Sequence, residues 1–167
     1  MDLGLTETQE MLRTAARDFL ERECPTALVR QMEDDDLGYP PELWQRMGEL
    51  GWMELAFPDA FGGANGSLTD LAVLLEEMGR ALAPSPFFPC VVLVGLTMLD
   101  AGTGAQQKEL LPRLAAGTLI ATMALTEESA RYSAQGIQMP AFTENDTYTL
   151  RGTKMFVGDA HVADYLL

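Results

Sequence analysis

The sequence has few of the side chains that metal and disulfide sites require. Its 167 residues contain one histidine, His161, and two cysteines, Cys24 and Cys90. Metal sites need several such ligands at short spacing, so we expect no metal site and a surface or turn position for His161. No spacing pattern supports a disulfide. Because one cysteine lies in a helical pattern and the other in an apolar run, we predict two buried free thiols.

Positive charge is also scarce. Lysine and arginine number 11 against 25 aspartates and glutamates, which gives a net charge of −14. An acidic chain repels the phosphate backbone of DNA and RNA, so we expect no nucleic-acid partner. The same charge opposes any ligand rich in phosphate, whose phosphates must then meet local donors or another chain.

Long hydrophobic runs are missing from the sequence. The longest apolar stretch, residues 90–99, falls well short of the ~20 residues that a membrane-spanning helix needs. The first residues have neither the basic segment nor the apolar segment of a signal peptide. We therefore expect a cytoplasmic protein with no membrane contact.

Hydrophobic residues nevertheless make up 47% of the chain, enough for a core. In the first two thirds of the sequence they recur mainly at helical spacing. Thr6 with Gln9, and Ser67 with Asp70, match capping patterns at the starts of two helices. The predicted core of this helical unit contains Leu12, Phe19, Trp44, Leu50, Leu71 and Leu75.

Residues 87–99 form the most apolar segment of the helical unit. They are apolar on every side, which indicates a buried element. Because the segment contains several β-branched residues, its period alone leaves helix and strand open. We predict a helix around which the other helices pack. A further helix is predicted over residues 106–116 despite Pro112.

The pattern changes from helical to extended near Gly117. Buried or extended segments follow at residues 118–125, 147–150, 155–157 and 163–167, with Asn145 and Asp146 as a turn. The predicted fold class is therefore mainly α, with a helical bundle domain over residues 1–117 and an incomplete antiparallel β-domain over residues 118–167. A last strand without a neighbour would expose unpaired backbone groups, so we expect the sequence to belong to a longer protein.

Three stretches, taken in order, resemble the acyl-CoA dehydrogenase family. The first is PELWQRMGELGW at residues 41–52 with PDAFGG at 58–63, and the second is GAQQKELLPRLAAG at 104–117. The third combines ALTE at 124–127, GTKMFV at 152–157 and the chain to residue 167. Each stretch is weakly specific alone, but their order and spacing cover nearly the whole chain.

The resemblance implies a flavoenzyme that introduces a double bond α,β to an acyl-CoA thioester, with a role in fatty acid metabolism. Family members have an amino-terminal helical domain, a central β-domain and carboxy-terminal helices, and this chain would contain the first and about half of the second. The resemblance also implies bound FAD, an electron-transfer acceptor and homo- or hetero-oligomers of like chains. The family's catalytic glutamate lies in the part not represented here. We therefore expect no catalytic residue in this chain, and no activity or tightly held FAD when it is alone.

The resemblance also implies residues that contact the cofactor. Met123, Leu125 and Thr126 match the strand that holds the flavin ring, and a threonine there offers a donor and an acceptor. Phe156 matches an aromatic residue beside the flavin, and Gly158 stands where the family has a hydroxyl residue near the ring. From the residues alone, Thr126 is equally explained as an ordinary strand threonine, and Phe156 as a core residue.

Candidate substrate contacts lie in two segments. Val92, Leu93 and Leu96 match a helix that lines the acyl-chain tunnel in the family, although a plain buried helix would also explain them. Arg131 and Tyr132 fall in the loop that meets the ligand in relatives. Arg131 either meets a phosphate or lies on a solvated loop.

The sequence departs from the family at residues 128–132 and at residues 158–159. Where the family has Thr-Glu-Pro-x-Ala-Gly-Ser-Asp, this chain has Glu128 for the proline, Arg131 for the glycine and Tyr132 for the serine. Gly158 and Asp159 replace a hydroxyl residue and an asparagine. An added carboxylate disfavours reduced, anionic flavin and bound phosphate. These changes leave two alternatives open: a non-catalytic subunit of a heteromeric enzyme, or a helical protein-interaction module.

Overall fold

The computed structural model describes residues 4–145 and 147–167. The predicted lack of a signal peptide concerns a segment whose first three residues lie outside this range. Asp146, half of the predicted turn, also lies outside it, whereas Asn145 is in a turn.

Helices occupy most of the chain up to residue 115. They are α1 (Glu7–Glu23), α2 (Thr26–Met32), α3 (Pro41–Glu49), α4 (Leu68–Arg80), a π-helix (Phe88–Gly95), α5 (Leu96–Ala101) and α6 (Gly104–Ala115). Short 3₁₀ turns lie at Asp59–Phe61 and Ala134–Gly136. The fold class is confirmed: a mainly helical unit is followed by a small amount of sheet.

Side-chain caps explain where three of the helices begin. Thr6 with Gln9 and Ser67 with Asp70 form the predicted capping boxes at α1 and α4. A third box, which we did not predict, starts α6 and satisfies backbone N–H groups that have no partner inside the helix. α6 runs through Pro112 as expected.

The apolar run of residues 87–99 is helical, which confirms the helix prediction. The π-helix continues directly into α5, and its residues Cys90, Val91 and Val94 are buried. Gly95 allows the ring of Phe57, itself 0% exposed, to pack directly against this helix. A Cβ at position 95 would lie 2.5 Å from that ring.

The core largely follows the predicted pattern. Of the six predicted residues, Phe19, Trp44 and Leu71 are buried, while Leu12 and Leu75 are partly buried. Both cysteines are free and buried, as predicted, and burial raises the pKa of the Cys90 thiol to about 11.

One core prediction is wrong: Leu50 is 51% exposed. Leu50 ends α3, and Gly51, with a φ of 76°, reverses the chain immediately after it. Trp52 then takes the core position, at 5% exposed, with its ring edge-to-face against Phe19. The helical pattern stops at the turn at Gly51, so it could not indicate that Trp52, beyond the turn, would take the core position in place of Leu50.

The sheet differs from its prediction in extent and in one pairing. Its strands are β1 (Ala121–Thr122), β2 (Ala141–Glu144), β3 (Thr147–Leu150) and β4 (Tyr165–Leu166). β2 and β3 form an antiparallel hairpin, whereas β1 and β4 pair in parallel. The long segment between β1 and β4 is what permits a parallel crossover.

Two strand predictions need correction. The strand expected over residues 118–125 shortens to β1, and residues 155–157 form no strand. Phe156 has a φ of 54°, which is incompatible with an extended strand. We did not predict β2. All four of its residues are exposed, so its sequence lacks the alternation of apolar and polar residues that marks a half-buried strand.

Among the described residues, no helix combines the length and apolar character needed to cross a membrane. The same residues contain no group of three or more His, Cys, Asp or Glu side chains placed to hold a metal ion.

A buried carboxylate joins α1 to α4. The Glu77 side chain is 1% exposed and accepts hydrogen bonds from Arg17 Nη2 at 2.6 Å and Nε at 2.9 Å. Arg80 Nε donates to the same carboxylate at 2.8 Å. The Arg17 hydrogen bond, aided by Arg80 and opposed by burial, lowers the pKa of Glu77 to about 2. Two cations therefore compensate for the burial of one anion.

We expect Glu77→Gln to lower the free energy of unfolding at pH 7 by about 2–3 kcal/mol. This is below the ~3–5 kcal/mol typical of breaking a buried ion pair, because both arginine side chains are more than 40% exposed. The stabilisation is complete above the ordinary pKa of 4.5 and is lost as the pH falls towards 2. Urea unfolding at pH 7 and pH 3 measures this, and the difference between wild type and variant should shrink at the lower pH. The exposed neighbour Glu76→Gln is the control and should change stability by less than about 0.5 kcal/mol.

Candidate functional site

A pocket of about 300 Å³ opens between the π-helix and the segments around β1. Four parts of the chain line it: the π-helix, the chain from β1 onward, the following loop, and the segment before β4. The lining residues are Phe88, Pro89, Leu93, Thr122, Met123, Leu125, Thr126, Tyr132, Met155, Phe156, Gly158 and Asp159.

The structure brings together all the residues predicted to contact a cofactor. Met123, Leu125, Thr126, Phe156 and Gly158 line this one pocket although residues 127–155 separate the first three from the last two. Their proximity is a property of the fold. That they hold a flavin remains a prediction.

The predicted substrate residues divide into two groups. Leu93 and Tyr132 line the pocket. Val92 and Leu96 instead pack, partly buried, against the hydrophobic core, and Arg131 is exposed outside the pocket lining. Of the three residues from the π-helix and α5, only Leu93 therefore faces the pocket.

Hydrogen bonds connect the pocket's segments. The Thr122 hydroxyl donates to the Gly158 carbonyl at 2.7 Å, and Met155 N donates to the Thr126 carbonyl at 2.8 Å. Thr126 is 6% exposed. Within the part of the chain that the structure describes, no group hydrogen-bonds the Thr126 hydroxyl. That hydroxyl is available to a ligand in the pocket.

Phe156 lies at the rim of the pocket and not in the core. Its side chain is 82% exposed, which corrects the expectation that it would be a buried strand residue. Both Phe156 and Asp159 have a φ of 54°, an uncommon conformation for residues other than glycine. Such conformations cost free energy and cluster at functional sites, and here the two residues flank the same stretch of pocket wall.

Asp159 brings a carboxylate into the pocket lining. Burial raises the pKa of Asp159, and the nearby His161 opposes this shift. His161 itself is exposed in a turn, as predicted, with Nε2 3.0 Å from the Leu37 carbonyl oxygen. Among the described residues that line the pocket there is no lysine or arginine. The pocket wall is thus mainly apolar, with the Asp159 carboxylate and the hydroxyls of Thr126 and Tyr132 available to a ligand.

Sequence reasoning missed several lining residues. Phe88, Pro89 and Met155 belong to segments predicted as buried helix or strand, and only the tertiary arrangement exposes one side of them to the pocket. Thr122 was also missed, since its role is a hydrogen bond to a residue far along the chain.

A second groove, of about 390 Å³, adjoins the pocket. It runs along the end of α4, and the residues that line it are Leu75, Met78, Gly79, Leu82, Ala83, Ser85 and Phe88. Phe88, which is 51% exposed, borders both cavities. The hydroxyl of Ser85 is buried without a hydrogen-bond partner among the described residues.

Comparison with known proteins identifies the family. The family model for the acyl-CoA dehydrogenase amino-terminal domain matches residues 6–118, which is more than half of the chain. The chain therefore belongs to the acyl-CoA dehydrogenase family.

Individual relatives show how much of the family this chain represents. It is 32% identical over 165 residues to the probable acyl-CoA dehydrogenase YngJ of Bacillus subtilis, and this match covers 98% of the chain and 43% of the relative. It superimposes on butyryl-CoA dehydrogenase from Megasphaera elsdenii with a TM-score of 0.81 and 30% identity, covering 99% of this chain and 45% of that one. A chain of the ChsE4–ChsE5 complex from Mycobacterium tuberculosis gives a TM-score of 0.88 at 25% identity, covering 100% and 44%. The chain thus spans less than half the length of these relatives.

We expect Asp159→Asn to stabilise the protein at neutral pH. The folded state raises the pKa of Asp159, so folding opposes the charged form, and that penalty grows as the pH rises through the folded-state pKa. Thermal unfolding at pH 7 and at pH 3 measures this. The variant should have the higher Tm at pH 7, and the difference should diminish at pH 3. A lower Tm at pH 7 would show that the carboxylate makes a stabilising contact. Glu144→Gln, on the exposed strand β2, serves as the control.

Proposed function

We propose that this chain contributes the helical domain and one wall of the flavin site to an FAD-dependent acyl-CoA dehydrogenase, which forms an α,β double bond in an acyl-CoA thioester. The observation that carries the proposal is the single pocket lined by Met123, Leu125, Thr126, Phe156 and Gly158. Family membership predicted that these residues would act together. Their common pocket supports that role.

The pocket suits the flavin ring better than the whole cofactor. Its volume of about 300 Å³ is at the lower end of the ~300–1,000 Å³ typical of small-molecule sites. The apolar lining suits the faces of the ring, and the Thr126 hydroxyl offers a donor and an acceptor to its polar edge. Phe156, at the rim, has an exposed aromatic face for stacking.

The phosphates of FAD require groups from elsewhere. The described lining residues supply no cation, and Asp159 adds a carboxylate. Arg131 and Arg151 are exposed nearby in sequence but do not line the pocket. We propose that a further domain or a neighbouring chain meets the pyrophosphate.

The acyl-CoA substrate is proposed to lie against the π-helix. Leu93, with Phe88 and Pro89, forms an apolar surface on the pocket, and Tyr132 borders it from the opposite loop. Val92 and Leu96 support this helix from the core side, so their proposed role is to position Leu93. Arg131, exposed on the same loop as Tyr132, is proposed to meet the CoA portion.

When bound, the flavin would accept hydride from the substrate and pass electrons to a separate acceptor. The residues of this chain hold and orient the ring, and they exclude water from one of its faces. We infer that the catalytic base comes from outside these 167 residues, so that the chain alone is inactive.

We expect the 167-residue chain to purify with little or no flavin colour, because one wall leaves most of the ring in water. Visible absorbance after dialysis measures this.

In the whole protein, Thr126→Ala should weaken FAD binding by roughly 2- to 13-fold, the range for one lost hydrogen bond of about 0.5–1.5 kcal/mol. Titration of the apoprotein measures this affinity.

The matched control is Thr149→Ala, an exposed threonine on β3. If both alanine variants retain FAD equally well, Thr126 does not contact the cofactor. A 167-residue chain that keeps stoichiometric flavin would show that the site is more nearly complete than proposed.

A second candidate is a non-catalytic subunit of a heteromeric acyl-CoA dehydrogenase. Asp159 in the pocket and the absence of a cation among its described lining residues favour it, because both weaken the binding of an anionic cofactor. The fold is also shared with a chain of the ChsE4–ChsE5 complex. The third possibility, a purely structural interaction module, has no comparable support.

In this second case, the whole protein should assemble with a different chain of the same family and hold fewer than one FAD per chain. Native mass spectrometry of the purified assembly, with FAD quantified by absorbance, measures both properties. A homo-oligomer with one FAD per chain would rule out the non-catalytic subunit. Reconstitution with excess FAD is the control for cofactor lost during purification.

A further inference from the structure

An ion pair lies beneath the pocket without lining it. Lys154 Nζ is 2.7 Å from Glu127 Oε1, and the side chains are only 16% and 10% exposed. Both residues lie in stretches that carry the family resemblance, but nothing in the sequence assigned a role to either. Neither belongs to the pocket lining.

The Glu127 carboxylate has three donors. Besides Lys154, Gln138 N donates to Oε2 at 2.8 Å, and Met139 N donates to Oε1 at 3.1 Å. These contacts lower the pKa of Glu127, with the Lys154 hydrogen bond as the largest cause. Lys154 also donates to the Leu125 carbonyl at 3.4 Å. The Glu127 carboxylate thus joins the two ends of the loop of residues 128–137. The Lys154 ammonium connects these ends to the segment that precedes β4.

Few other contacts hold this loop in place. Residues 128–135 are all exposed, so the loop gains little from hydrophobic burial. Its other hydrogen bonds are local, each between residues three apart: Ala130 N to the Glu127 carbonyl, Gly136 N to the Ser133 carbonyl, Ile137 N to the Ala134 carbonyl and Gln138 Nε2 to the Gln135 carbonyl. A loop without buried apolar contacts depends on its polar anchors for a defined position.

The segments joined by the ion pair are the ones that form the pocket wall. Glu127 directly follows Thr126, the loop it closes carries Tyr132, and Lys154 directly precedes Met155 and Phe156. Met155 N donates a hydrogen bond to the Thr126 carbonyl, so the residues next to Lys154 and Glu127 are also joined to each other. Loss of the pair would therefore change the spacing between three parts of the wall at once.

We propose that Glu127 and Lys154 are positioning residues that set the width of the pocket between Thr126, Tyr132 and Phe156. For a flavin ligand the inference rests on the proposed function, whereas the coupling between the segments follows from the contacts alone. Breaking a buried pair leaves an uncompensated charge, and the loop and the 153–157 segment then lose their common anchor. The helical core does not depend on the pair.

The experiment measures amide hydrogen exchange and FAD affinity, both on the whole protein. The variants are Glu127→Gln, Lys154→Met and the double variant, with Lys154→Arg as the conservative replacement. Glu128→Gln and Arg151→Met are controls, since both side chains are exposed and lie within three residues of the pair in sequence.

Glu127→Gln and Lys154→Met should each raise exchange at the hydrogen-bonded amides of Gln138, Met139 and Met155 by about tenfold or more, as expected for losing hydrogen bonds to a charged group. Exchange in α1 and α4 should not change. FAD affinity should fall by a similar factor, the double variant should add little to either single change, and Lys154→Arg should restore most of both properties. The two controls should behave as wild type.

Each deviation has a defined meaning. Unchanged exchange at Gln138, Met139 and Met155 in both single variants overturns the proposal. Raised exchange with unaltered FAD affinity overturns the positioning role, because the pocket would then tolerate a mobile wall. The variants could also show raised exchange while the wild-type whole protein binds no FAD. That result would support the coupling between the segments and would contradict the flavin site of the proposed function.

Discussion

The burial of one apolar helix is the constraint on which the rest of the structure depends. The π-helix Phe88–Gly95 is apolar on nearly every side, so other elements must cover most of its surface. Phe57 packs against its backbone at Gly95, and Cys90 Sγ donates to the Leu119 carbonyl at 3.4 Å, which brings the chain entering β1 alongside it. The one side left open, at Phe88, Pro89 and Leu93, is the side on which the pocket forms.

Polar contacts, by contrast, determine the shape of the pocket. Among the described residues, two of its wall segments, the loop of residues 128–137 and the segment of residues 153–159, contribute no residue to the hydrophobic core. They are held instead by the Thr122 hydroxyl on the Gly158 carbonyl and by the Glu127–Lys154 pair. The division is physically sensible, because apolar packing fixes the position of whole helices, whereas directional hydrogen bonds fix the spacing of loops that must admit a ligand.

The acidic character of the chain bears on function at one place in particular. Most of its 25 carboxylates are solvated, and Glu77 is neutralised by two arginines. Asp159 differs from both groups in that it lies in the pocket lining, where burial raises its pKa. The pocket lining is mainly apolar, contains the Asp159 carboxylate and has no cation among its described residues. Under the proposed function, an anionic cofactor would therefore need a second surface to complete its site. The relatives, more than twice as long as this chain, are long enough to supply such a surface.

The sequence by itself determined the helical unit, its capped helix starts at Thr6 and Ser67, its buried cysteines and the family to which the chain belongs. These features depend on local chemistry and on periodicity, both of which are determined by residues close together in the sequence. Family resemblance also selected the five residues that share the pocket. Only the tertiary structure decided that Leu50 faces solvent, that Phe156 lies at a rim with a positive φ, and that Leu93 reaches the pocket whereas Val92 and Leu96 do not. It alone joined Glu127 to Lys154 and to the backbone at Gln138 and Met139. Those outcomes depend on contacts between distant segments and on turns that interrupt a period, and neither is visible in a pattern of adjacent residues.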